Sequence, residues 1–126
     1  MILLLDAHAL LWSLSADTTL SDAATRSIQD PANDVLVSAA TIWELEIKRA
    51  TGRLTAPEDI LSALDAVQIS ALPVLAEDGV TAARLPAGVH RDPFDRMIVA
   101  QAMRLDAVVV SRDRAFAGYE VRVLTA

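Results

Sequence analysis

The chain has 126 residues, 53% of them apolar, and a net charge of −6 at neutral pH. Such a length holds one domain, residues 1–126, without room for a second core, and the lack of cysteine excludes a disulfide framework or thiolate zinc site and suits a reducing, cytoplasmic setting. The acidic balance argues against a general nucleic-acid binder, whose affinity comes from Lys and Arg, while an apolar share above the usual ~45–50% points to a surface covered by a second chain.

Residues 2–5 are all apolar and are closed at once by Asp6, which predicts a buried strand, far too short for a signal segment or a membrane span. Helical patterns follow over 7–14 and 20–29, the second opened by Ser21-Asp22 as cap. A strand at 34–38 leads into a helix over 39–51 that Gly52 can stop. The next helix, 57–66, is expected to carry Pro57 in its first turn, followed by Glu58 and Asp59. A strand near 68–72 and a helix over 75–84 come next. Asp92-Pro93 then reads as N-cap and first position of a helix over 93–105, whose Phe94, Ile98, Ala102 and Leu105 form one face toward a sheet. Strands at 107–111 and 120–124 complete the series. Strands alternating with helices in this way give an α/β fold, a parallel sheet with helices on both faces.

Four acidic residues occupy places where such a fold binds ligands. Asp6 ends the first strand, Glu44 lies inside the third helix, Asp95 opens the long helix, and Asp113 follows Ser111-Arg112 after the fourth strand. Ligands of open α/β sheets sit in the crevice beyond the carboxyl ends of the strands, and if the fourth strand neighbours the first, Asp6 and Asp113 meet there. Each has a plain structural alternative. Asp6 and Asp113 could be helix caps, Glu44 a surface partner of Lys48 four residues on, and Asp95 a first-turn charge beside the cap Asp92. Trp43, Ile42 and Leu45 around Glu44 suggest a mostly buried helix on which an uncompensated carboxylate is costly, with Glu46 the better solvated charge. Four oxygen ligands suit Mg²⁺ or Mn²⁺ rather than zinc or copper. With such an ion they could hydrolyse a phosphodiester by a metal-activated water.

Six of the eleven basic residues, Lys48, Arg49, Arg91, Arg96, Arg112 and Arg114, lie within five positions of Glu44, Asp95 or Asp113, so the local charge differs from the net charge. His8 and His90 read as ordinary surface or hydrogen-bonded residues. Trp12 and Trp43 read as core or interface residues rather than base-stacking platforms. No Gly-rich phosphate loop or serine or cysteine triad is present.

Four blocks together carry a resemblance: Leu5-Asp6-Ala7-His8-Ala9-Leu10-Leu11-Trp12; Ser38-Ala39-Ala40-Thr41-Ile42-Trp43-Glu44-Leu45; His90-Arg91-Asp92-Pro93-Phe94-Asp95-Arg96 through Ala100-Gln101-Ala102; and Ser111-Arg112-Asp113. In order and spacing, from residue 2 to about 124, they resemble the PIN-domain family, and within it the VapC-like toxins of type II toxin–antitoxin pairs. The resemblance implies an α/β/α sandwich on a five-stranded parallel sheet of order 3-2-1-4-5. It implies a Mg²⁺-dependent endoribonuclease, with Asp6, Glu44, Asp95 and Asp113 around the metal, Ser111 and Arg112 lining the site and Arg96 near the RNA. It further implies a homodimer inhibited by a cognate antitoxin. Ala7 departs from the hydroxyl residue that relatives commonly place after the first aspartate, and residues 75–84 match more loosely and carry no function.

Rival folds fail on residues. A receiver-like phosphoacceptor needs paired acids after the first strand and a Lys after the fifth, and a haloacid-dehalogenase-like phosphatase needs a second Asp where this chain has His8. The remaining alternative is a PIN-fold module that binds RNA or antitoxin without cutting.

Overall fold

The computed structural model describes residues 1–87 and 91–126. Its central strand β1 (Ile2–Leu5) pairs in parallel with β2 (Asp34–Ser38) on one side and β4 (Val108–Ser111) on the other. A strand flanked by strands and covered on both faces is apolar at every position, which is why Leu3, Leu4 and Leu5 are fully buried. Two edge strands, β3 (Ser70–Leu72) and β5 (Arg122–Thr125), complete the parallel sheet in the order β3-β2-β1-β4-β5, the order expected.

Helices α1 (Ala7–Leu14), α2 (Asp22–Gln29), α3 (Ala39–Ala50) and α4 (Ile60–Ala66) precede β3, and α5 (Ala76–Arg84) and α6 (Pro93–Leu105) follow it. The alternation of β1 divides the core between two faces. Leu3 and Leu5 pack with Ala9, Leu10, Leu45 and Leu64, whereas Leu4 packs with Ile98, Val99, Ala102 and Phe116. Of the face predicted for α6, Ile98, Ala102 and Leu105 meet the sheet, whereas Phe94 lies against Trp43 of α3. Among the described residues no helix is long and apolar enough to cross a membrane.

Helix starts follow side-chain chemistry. The hydroxyl of Ser21 accepts the N–H of Ala24 at 3.1 Å, and Asp92 accepts those of Phe94 and Asp95 at 2.8 and 3.2 Å ahead of Pro93. The start of α4 differs from the expectation. Pro57 and Glu58 lie before the helix because Asp59 is the cap, taking the N–H of Ser62 at 3.2 Å and its hydroxyl at 2.9 Å.

One ion pair fastens α5 to α6. Asp78 is buried, accepts the N–H of Leu75 at 2.9 Å, and is gripped by Arg104, Nε to Oδ1 at 2.7 Å and Nη2 to Oδ2 at 3.0 Å. Burial opposes ionisation of Asp78, but the Arg104 guanidinium and the Leu75 N–H outweigh it and hold the carboxyl below its usual range. A carboxyl with a depressed folded pKa adds stability above its unfolded pKa and loses it as pH falls through the folded value. The clamp is therefore at full strength at neutral pH and is lost on acidification below about pH 4. Asp78→Ala is expected to cost roughly 3 kcal/mol at pH 7. Its deficit relative to wild type should shrink in acid, as read by urea unfolding across pH.

Candidate active site

The parallel register that pairs Leu5 with Val110 sets Asp6, one residue on, beside Ser111. The Asp6 N–H continues the ladder to the Val110 carbonyl at 3.1 Å. Strand order reverses between β1 and β4, since the chain first builds outward through β2 and β3 and then returns to the other side of β1. Asp6 thus stands at the switch point.

Asp6 is only 8% exposed. One carboxylate oxygen caps α1 by accepting the Ala9 N–H at 2.9 Å, and the other accepts the hydroxyl of Ser111. That same Ser111 oxygen accepts the Asp113 N–H at 3.0 Å, so one hydroxyl joins the two acidic residues. Asp113, at the exposed edge, also caps the short 3-10 helix Arg114–Gly118 through the Ala115 N–H at 2.9 Å. Burial pushes the Asp6 carboxyl above its ordinary range; Ser111, the Ala9 N–H and the charge of His8 act against that, and the Asp113 charge adds to it.

Glu44 and Asp95 lie on helices that begin at this end of the sheet. α3 follows β2 directly, and α6 runs toward the start of β4, so its first turn lies at the carboxyl end of the sheet. The Glu44 side chain is 12% exposed and pairs with Lys48 at 3.2 Å, which is its structural alternative realised. Trp43, by contrast, is 64% exposed and not part of a buried surround. The buried side of α3 is the line of Thr41 and Leu45, and Trp43 falls on another flank, edge-on to Phe94 of α6 at 5.7 Å between ring centroids. Glu46 pairs with Arg49 at 2.8 Å near the surface. Asp95 occupies the third position of α6 beside its cap Asp92.

The structure therefore brings Asp6 and Asp113 into electrostatic contact and sets Glu44 and Asp95 on flanking helices. Among the described residues no three His, Asp or Glu side chains gather closely enough to chelate an ion as they stand. What the switch point offers is a set of hard oxygen donors, two carboxylates and a hydroxyl. That set fits a cation such as Mg²⁺, which takes one or two carboxylates and keeps several waters.

The two arginines expected near a phosphate have structural tasks. Arg96 points to the end of α5, donating to the carbonyls of Ala82 at 3.0 Å, Leu85 at 2.7 Å, Pro86 at 3.3 Å and Ala83 at 3.5 Å. Arg112 holds the Ala126 carbonyl through Nε at 3.1 Å and Nη2 at 2.8 Å, also reaches the Thr19 carbonyl, and lies 4.7 Å over the Trp12 ring. His90, at the head of one signature block, lies outside the described residues. Sequence reasoning missed the stacking of His8 on Trp12, 5.7 Å between centroids. Their separation of four residues on one helix was the available signal. It also missed Thr41, whose buried hydroxyl on the Glu44 side of α3 has no hydrogen-bond partner among the described residues.

An acid with a raised folded pKa destabilises the fold once pH exceeds its unfolded value, and the penalty is absent below that value. Asp6→Asn, which can still cap α1, is thus expected to melt at or above the wild-type temperature at pH 7 without divalent ions, the advantage vanishing in acid. Arg96→Ala is expected to lose roughly 2 kcal/mol by leaving the end of α5 unsatisfied, measurable by urea unfolding.

Residues 3–121 match the model of the PIN domain. The chain is 30% identical over 113 residues to the ribonuclease VapC22 of Mycobacterium tuberculosis, a match covering 88% of this chain and 86% of that one. Among solved structures it is similar to VapBC2 from Rickettsia felis bound to a promoter DNA fragment, at a TM-score of 0.73 and 15% identity with 98% of each chain covered. It is similar also to DNA-bound VapBC from Salmonella typhimurium, at a TM-score of 0.67 and 18% identity with 98% and 97% covered. Fold, order of blocks and sequence agree: the chain belongs to the PIN-domain family.

Proposed function

We propose that this protein is a Mg²⁺-dependent endoribonuclease, the toxin of a toxin–antitoxin pair. The observation that carries the reading is the Asp6–Ser111–Asp113 connection at the switch point of the sheet, where a buried carboxylate is held by a hydroxyl and a backbone N–H, neither of them charged. The similarity to a chain named a ribonuclease, VapC22, supports the reaction class, and the likeness to VapBC assemblies supports an antitoxin partner.

In this reading Asp6, Glu44, Asp95 and Asp113 would surround the ion, the first and last from the switch point and the other two from the flanking helices. The bound cation supplies charge to the phosphoryl oxygens and acidifies a water. The chain's own part is to fix the carboxylates before substrate arrives. Ser111 directs the Asp6 oxygen and the Asp113 backbone at once, and the cap to Ala9 keeps the other Asp6 oxygen in place. Arg112 brings positive charge to the edge while remaining anchored to Ala126.

Partner surfaces are available. Trp43, Leu61 and Val80 are exposed apolar side chains that a second copy or an antitoxin would cover. A groove of about 1010 Å³ has apolar walls that include Trp12, Leu20 and Ile28 and an acidic rim that includes Asp17, Asp30 and Asp65. It suits a segment carrying apolar and basic side chains.

The test uses purified chain free of antitoxin and a single-stranded RNA. Cleavage is expected with Mg²⁺ and not with EDTA, and Asp95→Asn is expected to lower it roughly a hundredfold or more with an unchanged circular dichroism spectrum. Equal activity of variant and wild type would reject the role of Asp95. Mg²⁺ should also raise the melting temperature of wild type but not of Asp6→Asn. Binding without cutting would favour the non-cleaving module.

A further inference from the structure

We propose that His8 and Trp12 form a nucleobase-stacking subsite beside the acidic edge, which rests on the ribonuclease reading and adds to it the contact that selects substrate. Three observations meet in one place. His8 is exposed and lies in the first turn of α1, close enough to Asp6 for its charge to be felt there. Its ring stacks on Trp12 with 28° between planes. Trp12 in turn lies under the Arg112 guanidinium, whose attachments to Ala126 and Thr19 fix it.

The result is a preformed ladder of two rings and one cation, beginning within two residues of the carboxylate that would face the reacting phosphate. A nucleotide places its base about 6–7 Å from its phosphate, a reach comparable to the rise of one helical turn. A base flanking the cut phosphate can therefore lie on the imidazole. Proteins read unpaired RNA by stacking splayed bases on His, Trp or Arg planes. Because Trp12 is half-buried and packed into the core while His8 is exposed, the imidazole is the outer platform and the indole its support.

The experiment uses the full chain with Trp43→Phe, which leaves Trp12 as the only tryptophan. It is titrated with a short single-stranded RNA, and with the same RNA carrying abasic positions, in Ca²⁺. Binding is expected to quench the Trp12 fluorescence. His8→Ala should weaken binding about tenfold, His8→Phe should restore it, and the abasic RNA should bind weakly and be indifferent to His8→Ala. Equal affinity of His8→Ala and parent for intact RNA, with normal Mg²⁺-dependent cleavage, would overturn the stacking subsite and leave the nuclease reading standing. Failure of the parent to bind or cut any RNA would overturn both.

Discussion

Ending a fully buried apolar strand in a carboxylate is the constraint on which the working edge of this molecule depends. β1 has neighbours on both sides and helices on both faces, so whatever follows Leu5 emerges between two strand ends. A charge placed there loses most of its hydration. The local remedies are the Ala9 N–H and the Ser111 hydroxyl, and neither restores what burial removes, since the carboxyl still ionises less readily than in water. Asp113 makes matters worse for Asp6. The Ser111 hydroxyl ties the Asp6 carboxylate to the Asp113 backbone, so two like charges are kept near each other with no positive side chain hydrogen-bonded to Asp6.

The remaining charges near the edge follow a different logic. Of the basic residues that cluster near the acids in sequence, Lys48 pairs with Glu44, Arg49 with Glu46, and Arg96 is spent on the end of α5. For these three the positive charge is already paired or hydrogen-bonded within the fold. Arg112 differs because its anchoring to Ala126 and Thr19 leaves its guanidinium over the Trp12 ring. That is the geometry in which a guanidinium stacks rather than merely neutralises.

What could be read from the chain was what is local. Ile2–Leu5 announced a central strand by lacking any polar side chain, Ser21 and Asp92 announced their helices by cap chemistry, and Pro93 fixed the start of α6. Errors of a few residues came where two local signals competed. Asp59 took the cap from Pro57, and β3 begins at Ser70 because Gln68 sits in a left-handed turn that turns the chain after α4. The acids at the ends of β1 and β4 were legible because a parallel sheet with alternating helices leaves few places for them. Contacts between distant residues were not. Arg96 meets carbonyls ten to fourteen positions earlier, Arg104 meets Asp78 across 26, and Arg112 meets Thr19 across 93. No periodicity or motif encodes such pairs, which become definite only when α5, α6 and the last strand are packed.

Trp43 shows how the same limit bears on function. Its apolar neighbours in sequence suggested burial, yet helix geometry assigns the core to Thr41 and Leu45, and the indole is left outside against Phe94. The indole is more than half exposed at the junction of α3 and α6, the helices that carry Glu44 and Asp95. Because Trp43 precedes Glu44 on α3 and its ring meets Phe94, which precedes Asp95 on α6, a surface that covered the indole would rest on the two helices that carry these acids.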